Sequence, residues 1–360
     1  MGLGRAGGSC SYTLLRSMEA ILLVGGLGTR LRPLTDDLPK PMLPVGGVPL
    51  VVHQIVRARE AGVDHVVLAT SYRAEVFTDA LGKGNRLGVR VDYAVEEEPL
   101  GTGGAIRNAA GLLRAAAEDP VLVFNGDIID GHDIRAQVKA HADASADVTL
   151  YLTRVDDPRA YGCVPTDPRM AVTAFLEKAP RPVTDQINAG CYVFRRSVID
   201  TIPTGRAVSV ERETFPGLLG ADAVVVGVVD DAYWRDLGTA EAFVRGSADV
   251  VLGRVDAPAR PGPAGPALVL AGAVVHGDVH LTGGTCVGAG CRVGAGAIVD
   301  GSVLMEGAVV GDAAVVRASA VGRGARIGAG AVLEHAVVPA GMDVDPGKRV
   351  TPWDGPGRPV

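Results

Sequence analysis

The last quarter of the sequence has a six-residue rhythm that few folds can accommodate. From residue 269 onward an aliphatic or methionine side chain recurs at every sixth position, and the spacing shortens to five at two places. The repeating positions are Val269, Val275, Leu281, Val287, Val293, Val299, Met305, Val310, Val316, Val321, Ile327 and Leu333. Small residues fill most positions between them. This hexapeptide pattern predicts a left-handed parallel β-helix, in which each flat face contributes one hexad and the aliphatic side chain points into a narrow interior.

A segment rich in proline and glycine separates this repeat from the residues before it. It spans residues 253–267, with four prolines between Pro258 and Pro266. Such a composition predicts a linker at a domain boundary. The expected organisation is a disordered extension at 1–17, a first domain at 18–252, the linker at 253–267, the β-helix at 268–341 and a C-terminal tail at 342–360.

In the first domain, short apolar runs alternate with amphipathic stretches. The runs with the composition of strands are residues 19–24, 65–70, 90–94, 120–124, 148–153, 191–194 and 223–229. Residues 50–61 and 105–117 have apolar positions at helical spacing. This alternation predicts an α/β domain with a mostly parallel sheet covered on both faces. Ligands of such sheets bind beyond the carboxyl ends of the strands, where residues 25–30 and 125–127 both fall.

The composition excludes several classes of function. The 360 residues carry a formal net charge of -6 with acids and bases interspersed, which does not fit a surface that binds nucleic acid. No apolar run is long enough to span a membrane, and residues 1–17 lack the apolar stretch of about 7 residues that a secretory signal needs. The five cysteines are scattered and odd in number, which indicates reduced thiols in a cytoplasmic protein.

A glycine-rich loop with two nearby cations predicts a triphosphate site. Residues 25–30 (GGLGTR) follow the first strand, and their three glycines let backbone N–H groups approach phosphates closely. Arg30 ends this loop, and Lys40 follows between Pro39 and Pro41. Because proline restricts the backbone, Lys40 is expected to be held stiffly near the loop. Two fixed cations beside a glycine cradle suit a triphosphate.

These motifs, with others in a fixed order, resemble the sugar-1-phosphate nucleotidylyltransferases. The resemblance covers residues 19–250. It rests on GGLGTRLRPLT at 25–35, PKPMLPV at 39–45, LGTGG at 100–104, NGD at 125–127, YG at 161–162, EK at 177–178, NAG at 188–190 and WRDLGT at 234–239. It implies a Rossmann-like nucleotide-binding domain, and a β-helix is a common appendage in that family. One departure is Ala179, which stands where the family has a proline directly after the lysine.

The resemblance also implies roles for individual residues. Asp127 and Asp236 would hold Mg²⁺, which prefers oxygen ligands. Arg30 and Lys40 would neutralise the triphosphate and the departing pyrophosphate. Lys178 would position the sugar phosphate, and Glu177 would bind sugar hydroxyls. The predicted nucleotide-binding set is Leu23, Gly25, Gly26, Gly28, Thr29, Arg30, Lys40, Pro99, Gly101, Thr102 and Gly103, and the predicted sugar-phosphate set is Tyr161, Gly162, Glu177, Lys178, Asn188 and Gly190.

The substrate pair follows from a further resemblance. Residues 209–216 (SVERETFP) resemble a segment of the mannose-1-phosphate guanylyltransferases. The expected substrates are therefore GTP and mannose 1-phosphate, and the expected product is GDP-mannose. A thymidylyl-, uridylyl- or adenylyltransferase acting on glucose 1-phosphate is the alternative within the class. A catalytically inactive regulatory or scaffold subunit is the alternative of another class. A homo-oligomer assembled through the β-helix is also expected, because its ends must be covered.

Overall fold

The computed structural model describes residues 18–26, 28–71, 73–177 and 181–350. The extension predicted at 1–17, the predicted sugar-phosphate residue Lys178 and the last ten residues of the predicted tail lie outside the described residues. Within the described part, no helix has both the length and the apolar character needed to cross a membrane.

Thirteen strands and seven α-helices lie in the described part of the first domain. The strands are Met18–Leu23 (β1), Pro44–Val45 (β2), Val48–Pro49 (β3), Val63–Thr70 (β4), Arg90–Val95 (β5), Pro120–Asn125 (β6), Ile128–Asp130 (β7), Val148–Arg154 (β8), Gly162–Cys163 (β9), Leu176–Glu177 (β10), Gln186–Arg195 (β11), Val225–Val229 (β12) and Trp234–Asp236 (β13). The helices are Leu50–Ala61 (α1), Ala74–Leu81 (α2), Gly101–Ala109 (α3), Ile134–Asp143 (α4), Arg196–Asp200 (α5), Phe215–Gly220 (α6) and Ala240–Leu252 (α7).

The sheet of this domain is parallel at its centre and antiparallel at one side. Its order begins β10-β9-β11-β6-β1-β4-β5, and β8 joins β11 to β12. The strands β6, β1, β4 and β5 run parallel, whereas β11 is antiparallel to both β6 and β8. The central strand is buried because helices cover both faces of the sheet. Helices α1, α2 and α4 pack on one face, and α3, α5 and α6 pack on the other.

One predicted helix has the expected bounds and the other does not. Helix α1 occupies residues 50–61, as the spacing of its apolar positions predicts. Helix α3 begins at Gly101 and ends at Ala109, which is earlier at both ends than the predicted 105–117. The Gly-Thr-Gly-Gly run at its start has the character of a loop in sequence. In the structure it is helical because these glycines pack directly against the backbone of Val208.

The second domain is the predicted parallel β-helix. Its strands are Ala267–Val269 (β14), Val274–Val275 (β15), His280–Thr282 (β16), Thr285–Val287 (β17), Arg292–Val293 (β18), Ile298–Asp300 (β19), Val303–Leu304 (β20), Val309–Val310 (β21), Val315–Arg317 (β22), Ala320–Val321 (β23), Arg326–Ile327 (β24), Val332–Glu334 (β25), Val337–Val338 (β26), Asp343–Val344 (β27) and Arg349–Val350 (β28). They form three parallel sheets of five strands each. The hexapeptide prediction is thereby confirmed.

The first coil of the β-helix is one residue longer than the coils after it. Ala267 pairs with Thr285, 18 positions later, whereas Val303 pairs with Ala320, 17 positions later. The spacing between interior residues first shortens from six to five between Val299 and Leu304, so Leu304 faces the interior of the β-helix. The assignment of Met305 to the repeating interior positions is therefore wrong, because Met305 is buried outside the coil, against the first domain.

The β-helix also extends further than its predicted end. Strand β27 pairs with β24 and β28 pairs with β25, so the coils continue to Val350. The boundary predicted at residue 341 is too early. Val338, Val344 and Val350 keep the six-residue spacing and are buried, but Pro346 and Gly347 between them give this coil the composition of a tail.

The two domains share a continuous apolar core, which we call the interdomain core. On the first domain it includes residues beside the glycine-rich loop, on β7, directly after β13, and on α7. On the β-helix it includes side chains around β20, β23 and β26. Its buried members are Leu31, Leu34, Leu43, Val45, Leu50, Ile129, Leu237, Phe243, Val244, Val250, Val255, Ala257, Val303, Met305, Ala320 and Val337. The predicted linker contributes Val255 and Ala257, so it is packed against the domains it joins.

Candidate active site

The glycine-rich loop forms one wall of a cleft at the carboxyl ends of β1 and β6. The cleft has a volume of about 370 Å³ and is lined by Leu23, Gly25, Gly26, Gly28, Thr29, Arg30, Leu31, Lys40, Pro41, Thr102, Asn125, Gly126, Asp127 and Gly238. Gly28 adopts a left-handed conformation with φ of 58°. A Cβ there would lie 3.1 Å from Thr35 Cγ2 and 3.3 Å from Lys40 Cβ, so the loop can lie this close to Lys40 only with glycine at that position.

Lys40 brings the two predicted metal-binding carboxylates together. Its Nζ lies 2.8 Å from Asp127 Oδ2 and 3.6 Å from Asp236 Oδ1. Asp127 occupies the turn between β6 and β7, and Asp236 ends β13, which pairs antiparallel with β7. The amide of Leu237 donates to the carbonyl of Asp127 at 3.0 Å, which ties the two segments together. Three charged groups that are far apart in the sequence therefore meet at one point.

Asp236 is held in an environment that disfavours its charge. Burial raises the pKa of this carboxyl group, and the negative charge of Asp127 adds to the effect, while Lys40 and Arg30 oppose it. Its Oδ1 is buried and has no hydrogen-bond partner in the described part of the chain. A Cβ on Gly238 would lie 2.9 Å from this oxygen and 3.2 Å from Arg30 Nη2, so glycine leaves the space beside both groups open.

The two carboxylates fit a hard divalent cation. Carboxylate oxygens are the ligands that Mg²⁺ prefers, and a buried oxygen without a partner is a vacant acceptor for a cation. The described residues contain no cluster of three or more His, Cys, Asp or Glu side chains that could hold a metal. Mg²⁺ is commonly bound by only one or two carboxylates plus substrate phosphates, so a pair is sufficient.

A second cavity continues from the first along the glycine-rich loop. It has a volume of about 700 Å³, and its lining includes Ser71, Glu96, Pro99, Gly101 and Thr102. The predicted residues Pro99, Gly101 and Thr102 therefore face the same space as Gly25 and Gly28. Gly103 lies in α3, lines neither cavity, and donates its amide to the carbonyl of Val208 at 2.8 Å.

Among the predicted sugar-phosphate residues that the structure describes, Gly162, Glu177, Asn188 and Gly190 lie on β9, β10 and β11, and Tyr161 directly precedes β9. Gly162 pairs with Glu177 across β9 and β10, and a Cβ on Gly162 would lie 2.8 Å from Glu177 Oε2. The ring of Tyr161 contacts Trp234 edge to face, with ring centroids 5.4 Å apart. Burial raises the pKa of Tyr161, and the negative charge of Asp236 adds to this effect.

Asn188 and Gly190 lie on β11, and Gly190 packs against Asn125, which lines the cleft. The side-chain Nδ2 of Asn188 donates to the hydroxyl of Tyr192 at 2.8 Å, and its side-chain Oδ1 accepts a hydrogen bond from the backbone N–H of Gly190 at 3.1 Å. A Cβ on Gly190 would lie 2.9 Å from Asn125 Nδ2. Gly190 therefore lets β11 approach the residue that precedes the Gly126-Asp127 turn.

Two supporting residues were not predicted as site residues, although one of them, Glu211, lies in the recognised segment 209–216. Gln54 on α1 donates to the carbonyls of Asn125 at 2.7 Å and Ile128 at 3.0 Å, and so holds the turn that carries Asp127. Glu211 accepts a hydrogen bond from Thr102 Oγ1 at 2.9 Å. Helical spacing marks Gln54 only as part of an amphipathic helix, and Thr102, the partner of Glu211 that lines the cleft, is 109 positions away in the chain.

Comparison with known proteins gives the same assignment along most of the chain. The model of the family described as Nucleotidyl transferase matches residues 19–251, and that of the GMPPB C-terminal domain matches residues 264–351. The chain is 55% identical over 274 residues to a mannose-1-phosphate guanylyltransferase of Mycobacterium tuberculosis, covering 76% of each chain. It is 38% identical over 234 residues to a mannose-1-phosphate guanyltransferase of Debaryomyces hansenii, covering 64% of each.

Solved structures agree with this result. HddC from Yersinia pseudotuberculosis matches with a TM-score of 0.57 and 31% identity, over 65% of this chain and 99% of that one. The same protein in a complex with GMP-PN matches with a TM-score of 0.56. The chain belongs to the nucleotidyl transferase family.

Proposed function

We propose that this protein transfers a guanylyl group from GTP to mannose 1-phosphate, giving GDP-mannose and pyrophosphate. The observation that carries the proposal is the convergence of Lys40 on Asp127 and Asp236 at the mouth of the glycine-rich cleft. The choice of guanine and mannose rests on the names of the relatives and on the guanine nucleotide bound to a structural neighbour.

The reaction requires positioning more than acid–base chemistry. A phosphate oxygen of the sugar 1-phosphate attacks the α-phosphorus of GTP, the bond to the β-phosphate breaks, and pyrophosphate leaves with that electron pair. The second pKa of a phosphate monoester is about 6, so the nucleophile is mostly dianionic at neutral pH and needs no general base. The main obstacle is the repulsion between two polyanions, which fixed cations reduce.

The charged side chains of the cleft supply that stabilisation. Arg30 and Lys40 bind the triphosphate and stabilise the charge that develops on the departing pyrophosphate. Asp127 and Asp236 hold Mg²⁺, which would neutralise phosphate charge when bound. Backbone amides of the glycine-rich loop orient the phosphates. Lys178 remains the predicted contact of the sugar phosphate.

The remaining proposed roles belong to recognition. Leu23, Pro99, Gly101 and Thr102 line the space proposed for the nucleoside, and Gly103 contributes through the packing of α3. Tyr161, Gly162, Glu177, Asn188 and Gly190 form the sugar side. A cytoplasmic location and a homo-oligomer assembled through the β-helix also belong to the proposal. Sedimentation at micromolar concentration tests the assembly, and a monomer would contradict it.

The proposal is tested by measuring pyrophosphate release with Mg²⁺ over a grid of substrates. The grid pairs mannose, glucose, galactose and glucosamine 1-phosphates with GTP, UTP, dTTP and ATP. Release confined to mannose 1-phosphate and GTP is expected. Release with another pair would retain the chemistry and discard the assigned substrates. No release with any pair would favour a regulatory or scaffold subunit.

A further inference from the structure

Three charged groups of the cleft, Arg30, Lys40 and Asp236, are each close in the chain to a residue of the interdomain core. Arg30 is followed by Leu31, and Asp236 is followed by Leu237. Lys40 lies three residues before Leu43. Leu31, Leu237 and Leu43 are 1%, 2% and 1% exposed, and all belong to the interdomain core. The positions of the three charged groups therefore depend on how this core is packed.

The β-helix contributes four of the buried side chains of that core. Val303 and Met305 come from one coil, Ala320 and Val337 come from the next two, and all four are buried in the interdomain core. Close packing extends along α7, where a Cβ on Gly284 would lie 2.5 Å from the carbonyl oxygen of Ala248. An interior packed this tightly transmits small displacements instead of absorbing them.

A polar contact joins the β-helix to the segment between Arg30 and Lys40. The guanidinium of Arg323, in the turn between β23 and β24, forms an ion pair with Asp37, with Nε 3.1 Å from Asp37 Oδ2. Asp37 lies three residues before Lys40. The segment is thus held by apolar contacts beneath Leu31 and Leu34 and by an ion pair at its surface.

We propose that the β-helix is a positioning element for nucleotidyl transfer, with Met305 as its principal contact and Arg323 as a second. Met305 packs in the core that carries Leu31, Leu43 and Leu237, and thereby sets where Arg30, Lys40 and Asp236 stand. This inference rests on the proposed function. It assigns the β-helix a part in the reaction that is separate from any part in assembly.

Two neighbouring residues provide a matched test. Met305→Ala removes side-chain volume from the interdomain core, whereas Leu304→Ala removes a similar volume from the interior of the β-helix. Both changes should lower the melting temperature, because each leaves a cavity. Only Met305→Ala should lower kcat, by about tenfold, since a displacement of about 1 Å at a distant support can reduce rates by up to about 10²-fold. Leu304→Ala should retain kcat within about twofold, compared at equal folded fraction.

Further measurements separate positioning from a general loss of structure. The KM for mannose 1-phosphate should stay within about twofold in Met305→Ala, because Tyr161 and Glu177 lie outside the interdomain core. Met305→Leu should restore kcat, since the two side chains have similar volume. Arg323→Asp should lower kcat by about threefold, and adding Asp37→Arg should restore it. If Met305→Ala fails to fold, Met305→Val and the Arg323 variants apply the same test.

The outcomes distinguish this inference from the proposed function. Equal kcat in Met305→Ala and Leu304→Ala, or no rescue by Met305→Leu, would overturn the positioning role. If the wild-type chain released no pyrophosphate from any pair, the proposed function would fail. The positioning role would then be judged by calorimetric affinity for GTP, expected to fall about fivefold in Met305→Ala and not in Leu304→Ala. Equal affinities would overturn it.

Discussion

The β-helix and the cleft of the first domain treat buried polar groups in opposite ways. Along one corner of the β-helix, Thr285, Ser302 and Ser319 are buried 17 residues apart, and each hydroxyl accepts an amide from the next coil while donating to a carbonyl. No buried side-chain nitrogen or oxygen in residues 267–350 lacks a partner. In the cleft, by contrast, Asn125 Oδ1 and Asp236 Oδ1 are buried without a hydrogen-bond partner among the described residues, although Lys40 Nζ lies 3.6 Å from Asp236 Oδ1.

Further buried polar atoms in the described part of the first domain, such as Tyr151 Oη and Arg196 Nε, also lack a hydrogen-bond partner, but those of the cleft lie beside Lys40 and Asp127. A buried polar atom without a partner costs free energy, so a scaffold that has no ligand to bind satisfies all of them. The cleft keeps acceptors open beside the cations Arg30 and Lys40. Such an arrangement is costly in the free protein and becomes favourable when a charged ligand arrives. The predictions below test whether each region behaves in this way.

The largest effect is expected at Asp236. We expect Asp236→Asn to reduce turnover by about 10³-fold, equivalent to about 4 kcal/mol, because the carboxylate is lost from the charged cluster. Its melting temperature at pH 7 should not fall. Burial raises the pKa of Asp236, so its ionised form is disfavoured in the folded state at neutral pH, and asparagine removes that penalty.

Pyrophosphate release and thermal unfolding at pH 7 measure the two halves of this prediction. Asp231→Asn is the control, because that carboxylate is largely exposed and pairs with Arg154. Asp127→Asn should also reduce turnover strongly. Turnover near the wild-type level in either cleft variant would remove that residue from the metal site, and a marked loss of stability in Asp236→Asn would contradict the comparison with the β-helix.

The converse result is expected at Ser302. Ser302→Ala leaves the amide of Ser319 without its acceptor and should reduce the free energy of unfolding by about 2 kcal/mol. Turnover per folded molecule should stay within about twofold. Urea denaturation measures the loss of stability, and pyrophosphate release measures turnover. Thr282→Ala is the control, because it removes an exposed hydroxyl from the β-helix. A loss of turnover per folded molecule well beyond twofold would show that the row of Thr285, Ser302 and Ser319 does more than support the fold.

Adding one methyl group to each region should also separate them. A Cβ at Gly162 would press on Glu177 Oε2 at 2.8 Å, so we expect Gly162→Ala to raise the KM for mannose 1-phosphate about tenfold, or about 1.4 kcal/mol. Gly277 on the β-helix has no heavy atom within 4 Å of such a Cβ, and Gly277→Ala should change nothing measurable. Steady-state kinetics decide the matter, and an unchanged KM in Gly162→Ala would remove Glu177 from the sugar side.

The smallest effect concerns a buried charge network in the first domain that is fully paired. His65 is buried and contacts both Glu19 and Asp92, while Glu19 accepts the amides of Arg114 and Ala115. The hydrogen bond to Glu19 and the negative charges of Glu19 and Asp92 raise the pKa of His65 above 6.5, although burial opposes the shift. A raised pKa in the folded state means that the protonated histidine stabilises the fold.

This contribution should be complete below pH 6.5 and lost as the pH rises through the higher pKa of the folded state. We expect the free energy of unfolding to fall across that interval in the wild-type chain, and the decline to be weaker in His65→Gln. Urea denaturation at several pH values measures it. The same slope in both proteins would show that His65 does not carry the effect.

Local patterns predicted the elements well and their ends less well. Helix α1 has its predicted bounds because its apolar positions lie on one face, and the β-helix follows from hexads that each coil repeats. The interior position of Leu304 could not be told from that of Met305, because both side chains are apolar and both are buried, one inside the coil and one outside it. The last coil resembled a tail because Pro346 and Gly347 occupy its corner.

Features that depend on neighbouring residues in the chain could be determined from the sequence alone. They are the hexad, the strands with their glycine turns, and the order of the motifs. The tertiary structure alone decided which groups meet. Lys40, Asp127 and Asp236 come together through pairing of β7 with β13 and through packing of Leu31, Leu43 and Leu237 against the β-helix. These are contacts between residues tens to hundreds of positions apart, and no local periodicity encodes the distance between them.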